Sequence, residues 1–439
     1  MRNLRSVQQW LQPGLRVKRW LLLMVFGLLI LGIGFAQGYV ILFQNKDIPS
    51  AISYVTLEFL PPYWRVMVAA IVGFCAMVIG IYELNTTIVQ PVVVSQRRHT
   101  SWVDIVRQHN RLQKGLRVVA IGGGTGLPSV LRGMKHVTNN ITAVVTMADD
   151  GGSSGRLRRE MGVPPPGDLR SNIAALADDE DMMTRLFQYR FAEGGLGGHS
   201  FGNLFLTALT EITGDMNTAV AVAGRVLAIT GRVIPSTLHH VNLGAYIRLA
   251  DGKLVQVIGE SNIPEISGTI ERVFLDPENV QALPEARQAI LSANLIVIGP
   301  GSLYTSILPN LLVQGIVPAL KASSATIVYV CNIAQQPGET EGYTVAEHVE
   351  ALEKHIGKNV ISTVLANNVF PNRKNEATHY VMLPPEGHPL WEQYHFVLAD
   401  LTEAEHPWRH DTAKLTAQLL KISESFNGEK HAKIIGRTA

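Results

Sequence analysis

The stretch RVVAIGGGTGLPSVLRGMK, residues 117–135, constrains the fold more than any other. A β-branched run ends in Gly122, Gly123, Gly124, Thr125 and Gly126 and passes straight into a helical pattern. That is the strand–turn–helix unit of an open parallel sheet. Glycines allow positive φ and a close approach to a ligand, and a helix start offers unpaired N–H groups and a positive dipole end, which together suit phosphate. The turn is not a Walker A loop, because no Gly-Lys-Ser/Thr follows. It also departs from the dinucleotide fingerprint, since Leu127 stands in place of the third glycine. A tight β–α turn with no ligand is the competing reading.

From Leu116 onward, short β-branched runs alternate with helical ones, which predicts an α/β fold with a parallel sheet and crossover helices. Strands are predicted over residues 117–121, 141–147, 295–298, 326–331 and 360–366. A hairpin strand at 254–257 should follow the Asp251-Gly252 turn. Helices are predicted over 127–135, 173–177, 182–191, 202–212, 216–227, 284–292 and 345–355.

Further loops join the first. TMADDGGSSGRLR, residues 146–158, follows the second strand, so it should share the ligand-binding edge of the sheet. Asp149 and Asp150 suit a ribose hydroxyl or a magnesium ion accompanying phosphates. Gly151, Gly152, Ser153 and Ser154 supply donors, and Arg156 can pair with phosphate. PPPGDLRSN (164–172) delivers Asp168 and Arg170, unless they serve only in capping or ion pairing. GGLGGHSFGN (194–203) places His199 and Asn203 at a glycine bend, where His199 either meets the ligand or satisfies the bend itself. LIVIGPGSLYTSILPN (295–310) repeats the device with Gly299, Gly301, Ser302, Tyr304 and Thr305, and should face the first loop across a cleft.

Apolar residues make up 46% and charged residues 17%, an excess concentrated in the first 90 residues. The run between Trp20 and Phe43 is uncharged, and a second run, 65–82, carries charge only at its edge. Each approaches the roughly 20 residues that cross a bilayer, which predicts a two-helix transmembrane hairpin rather than a cleaved signal peptide. Arg2, Arg5, Arg16, Lys18 and Arg19 precede the first run, and Arg97, Arg98, Arg107 and Arg111 follow the second. By the positive-inside rule both flanks face the cytoplasm. The expected organisation is a cytoplasmic basic tail (1–19), the hairpin (20–85), a basic linker (86–115) and a cytoplasmic domain (116–439), on the inner membrane as a multi-pass protein.

A net charge of +2 gives no reason to expect a nucleic-acid partner. Cys75 and Cys331 form no framework, which fits a reducing compartment. His406, His410 and Asp411 make a poor metal set, because Pro407 breaks the helical spacing. No nucleophile elbow or triad pattern is present.

The motifs IGGGTGLPSVLRG, ADDGGSSGRLR, PPGDLR, LFQYRF, GHSFGNL, GRVIPST, GPGSLYTSILPNLL, YVCN and RHD together resemble the YvcK gluconeogenesis-factor branch of the CofD-like family. The resemblance runs from about Leu116 nearly to the C-terminus and leaves the N-terminal runs outside. It implies a Rossmann-like α/β fold. For the YvcK branch it implies binding of UDP-sugars such as UDP-N-acetylglucosamine, with roles in carbon metabolism, cell shape and the envelope. For the CofD branch it implies 2-phospho-L-lactate transfer. The leading expectation is a regulatory UDP-sugar binder that needs no cofactor beyond magnesium accompanying the nucleotide, and a homo-oligomer. The alternative is a CofD-like transferase.

Overall fold

The computed structural model describes residues 17–43, 61–94, 112–177, 180–371 and 379–435. They fall into two units, Met1–Gln113 and Lys114–Ala439. Most of the basic tail (1–16), the loop 44–60 and the linker 95–111 lie outside the described residues, so the expectations placed there are not met by any observation.

The first unit holds helices α1 (Val17–Phe43) and α2 (Pro62–Val94). They approach closely through small residues: a Cβ added at Gly27 would lie 2.9 Å from the carbonyl oxygen of Gly73, and one at Gly34 would lie 3.2 Å from Ala69 Cβ. Among the described residues, however, no helix is long and apolar enough to cross a membrane. The transmembrane hairpin expected over 20–85 is therefore corrected to a close helical pair. The multi-pass inner-membrane placement built on it falls for the same reason.

The second unit is the α/β domain expected from the sequence. Strand β1 (Val118–Gly122) leads into α3 (Leu127–Met134), and β2 (Ile141–Val145) leads through α4 (Gly152–Met161), α5 (Gly167–Leu176), α6 (Glu180–Gln188), α7 (Phe201–Thr213) and α8 (Met216–Val226) to β3 (Arg232–Pro235). A separate antiparallel sheet follows: β4 (Asn242–Arg248), β5 (Leu254–Ile258), a 3₁₀ turn (Glu260–Glu265) and β6 (Thr269–Asp276). The chain then returns through α9 (Pro284–Ser292), β7 (Leu295–Ile298), α10 (Ile316–Ala322), β8 (Thr326–Val330), α11 (Val345–Ile356), β9 (Thr363–Asn367), β10 (His395–Ala399) and α12 (Thr412–Ile435).

Among the described residues the main sheet has seven strands in the order β10-β9-β8-β7-β1-β2-β3, every pair parallel. Its centre is fully buried, because strands covered on both faces need continuous apolar runs such as VVAIG and LIVI. Ala120 stands opposite Ala143 of β2 and Val297 of β7. The strand order runs outward in both directions from the β1–β7 pair, so the chain reverses there. Such a reversal opens a crevice at the carboxyl ends of the strands. The Asp251-Gly252 turn joins β4 to β5 as a hairpin, with Arg248 opposite Leu254.

Candidate functional site

The two glycine turns at the reversal touch rather than face each other across a gap. A Cβ added at Gly126 would lie 2.3 Å from the carbonyl oxygen of Pro300. None of Gly122, Gly123, Gly124 and Gly126 has positive φ, whereas Gly299 (80°) and Gly301 (153°) do. In the first turn, then, glycine serves close approach and not a left-handed backbone. A Cβ at Gly124 would fall 2.4 Å from Asp168 Oδ1. Asn172 ties the same turn to α5, donating to the carbonyl of Gly123 at 3.0 Å, and Asn310 donates to that of Gly122 at 3.0 Å.

Beside this turn lies a cavity of about 240 Å³, lined by Gly124, Thr125, Asp149, Gly151–Ser154, Gly167, Asp168, Arg170, Ser171, Arg190 and Asn203. The segment expected as a loop of small residues is instead the start of α4, and α5 begins at Gly167. The N-cap positions, Gly151 and Pro166, supply no side-chain cap to either helix. Two helix starts therefore present N–H groups and positive dipole ends at one cavity.

Polar side chains arrange the rest. Arg170 donates through Nη1 to Ser200 Oγ at 2.8 Å and to Asn203 Oδ1 at 3.2 Å, while its Nε is buried without a partner. Asn203 Nδ2 donates to Ser153 Oγ at 3.1 Å. His199 is buried and shares a hydrogen bond with Ser153 through Nδ1 at 3.1 Å. That burial, and then Arg156, hold its imidazole below the ordinary range. Burial, followed by the nearby Arg190, lowers Arg170.

The acids divide into two kinds. Asp150 accepts from the backbone N–H of Glu260 at 3.0 Å and of Ser261 at 2.9 Å, so both its oxygens hold the 3₁₀ turn. Asp149 accepts from Gly151 N–H at 3.0 Å, and burial raises its carboxyl. Asp168 is pushed up to about 7 by burial and by Asp149. Glu260, which no sequence pattern marks, is pushed up to about 8 by burial, then by Asp149, Asp168, Asp150 and Glu339. Both oxygens of Asp150 accept from the backbone, and no group of three side chains able to hold a metal ion occurs among the described residues, so a magnesium ion at Asp149 and Asp150 would draw the rest of its shell from the phosphates of a ligand.

Of the residues singled out from the sequence, Gly124, Thr125, Asp149, Gly151, Gly152, Ser153, Ser154, Asp168, Arg170 and Asn203 come together on the cavity. Arg156 does not line it and donates to the carbonyl of Gly197 at 3.0 Å. Gly301 exchanges hydrogen bonds with Asn332 at 3.0 and 2.9 Å. Ser302 bonds Gln336, Thr305 donates to Glu339 at 2.9 Å, and Tyr304 shares a 2.9 Å bond with Tyr343. This second turn is thus packed into the neighbouring loop 332–343. Arg190, Gly167 and Ser171 line the cavity without having been singled out, although Arg190 lies in LFQYRF and the other two in PPPGDLRSN. His406 and His410 diverge, one toward Glu403 at 3.8 Å and the other bonded to the Cys331 carbonyl at 3.2 Å.

Residues 118–425 match the CofD family, described as 2-phospho-L-lactate transferase CofD. The gluconeogenesis factor of Bacillus subtilis (strain 168) is 52% identical over 253 residues, 57% of this chain and 78% of that protein. A relative in Nostoc sp. (strain PCC 7120) is 43% identical over 437 residues, 97% of this chain and 94% of its own. The crystal structure of a UPF0052-family protein from Bacillus halodurans superposes with a TM-score of 0.65 at 41% identity, covering 70% of this chain and 99% of that one.

Proposed function

Because the chain belongs to the CofD family, in its YvcK-type gluconeogenesis-factor branch, we propose that it binds a UDP-sugar, foremost UDP-N-acetylglucosamine, with the diphosphate in the cavity at the starts of α4 and α5. One observation carries this reading: two helix starts without side-chain caps converge with Arg170 and Arg190 on a single cavity of about 240 Å³. Unpaired N–H groups, aligned dipoles and guanidinium forks are the donors that a diphosphate needs. The biological role that follows is regulation of carbon metabolism, cell shape and envelope synthesis by ligand occupancy.

The site favours binding over turnover. Donors for an anion are abundant, whereas the one hydroxyl–base contact described at the cavity, Ser153 with His199, is shared with Asn203, which donates to the same serine oxygen. Calorimetry on the full-length chain with UDP-N-acetylglucosamine tests the reading, and folded protein giving no heat with any UDP-sugar would end it. In favour of turnover, the raised Asp168 beside Asp149 has the form of a proton-transfer pair and supports a transferase as the second reading. Steady release of UDP, abolished by Asp168→Asn, would move the assignment there.

A further inference from the structure

The three-stranded sheet β5-β4-β6 is inserted between the two halves of the main sheet, and its 3₁₀ turn Glu260–Glu265 is fixed at two places. At one end Asp150 holds the N–H groups of Glu260 and Ser261. At the other, Pro264 lies so close to the loop after β8 that a Cβ added at Gly338 would fall 2.3 Å from its carbonyl oxygen. One anchor follows β2 and the other follows β8, with β1 and β7 between them. The turn therefore bridges the carboxyl edge of the sheet over the glycine turns.

An acid stands at each end of the bridge, Glu260 at the Asp150 anchor and Glu339 beside Gly338. Glu260 stands on the turn, close enough for Asp149, Asp168 and Glu339 all to act on it. Glu339 is 6% exposed. One of its oxygens accepts from Thr305 Oγ1 at 2.9 Å, and the other, Oε2, is buried without a partner. A buried oxygen that lacks a donor is costly and marks a place where a donor from outside belongs. A protein-held metal ion is not supported, since no group of three ligands is arranged for one among the described residues.

We propose that the bridged compartment is the subsite for a hydroxyl-rich, uncharged part of the ligand, with Glu260 and Glu339 selecting it beside the cavity that takes the phosphates. Sugar hydroxyls donate to carboxylate oxygens and accept from protonated carboxyls, so acids in either form can hold them. This assignment rests on the nucleotide-sugar reading above and extends it by giving the sugar its own residues.

The test compares two ligands, UDP-N-acetylglucosamine and UDP, by calorimetry on the full-length chain. The wild type should prefer the nucleotide sugar. Glu260→Ala and Glu339→Gln should weaken UDP-N-acetylglucosamine about tenfold while leaving UDP within about twofold. Glu260→Gln keeps the shape of the turn and should fall between wild type and Glu260→Ala, which guards against a loss caused only by misfolding. Equal weakening of both ligands, or an unchanged preference in all three variants, overturns the subsite. A wild type that binds UDP as tightly as the nucleotide sugar also refutes the subsite and leaves nucleotide binding intact. A wild type that binds neither ligand removes the nucleotide-sugar reading, and the subsite with it.

Discussion

Asp168 sits against Gly124 so closely that a Cβ on the glycine would fall 2.4 Å from Oδ1 and 2.9 Å from the Cα of Asp168. The second contact is with backbone, so a side-chain rotation cannot relieve the clash. Gly124→Ala should separate the first glycine turn from α5 and destabilise the domain by about 1–3 kcal/mol. Gly195→Ala, with nothing within 4 Å of the added carbon, is the control and should stay within about 0.5 kcal/mol. Urea unfolding of both variants checks the pair, and equal midpoints would contradict the packing argument.

Arg170 and Arg190 line the cavity, while Arg156 is turned toward the Gly197 carbonyl. Arg170→Ala should weaken the nucleotide ligand by about 1.5–3 kcal/mol through loss of a charge-assisted bond. Arg156→Ala should weaken it less, acting only through the glycine bend. Titration calorimetry on the two variants decides the order, and a larger loss at Arg156 would relocate the anion.

Asp168 keeps its proton up to about 7 and Glu260 up to about 8, whereas unfolded carboxyls release theirs near 4. A raised carboxyl contributes stability that is fully present below the unfolded value and is lost as pH rises through the folded one. The thermal midpoint of the unliganded protein should accordingly fall between about pH 5 and pH 8.5. Asp168→Asn should flatten that slope. A slope unchanged by the substitution would show that these acids are not its source.

His410 is half-buried and its ring is bonded to the Cys331 carbonyl at 3.2 Å, and burial pushes it down to about 4. The folded chain therefore holds it neutral. Its depressed value contributes stability that is present above the usual imidazole range and is lost as pH falls through about 4. His410→Ala leaves the carbonyl unpaired and should cost about 1–3 kcal/mol at pH 7. The loss should shrink at pH 4, which denaturant titration at both values will show.

The parallel core was legible because period and burial agree: β1, β2, β7, β8 and β9 all lie within the predicted runs or one residue beyond them. What escaped had a local signal opposed to its final state. Gly-Ser-Ser-Gly has poor helix propensity, yet α4 begins at Gly152 and is carried by the residues after it. Strand β3 has only four residues and ends in Pro235, and β10, despite its short FVLA run, is an edge strand that is only partly buried. Most of the cavity could be inferred from strand ends that share one sheet edge. Arg190 and Glu260 could not, because their positions depend on the glycine bend and on an inserted sheet.

The reversal of strand order also sets a timetable for synthesis. Every residue lining the cavity beside the first glycine turn lies between Gly124 and Asn203, so the ribosome makes all of them before the inserted sheet. The second compartment waits for Glu339, about ten seconds later at ordinary elongation rates. Its closing contact joins Pro264 to Gly338. On the proposed reading, a nascent chain would acquire its phosphate cavity before the residues proposed to recognise the sugar.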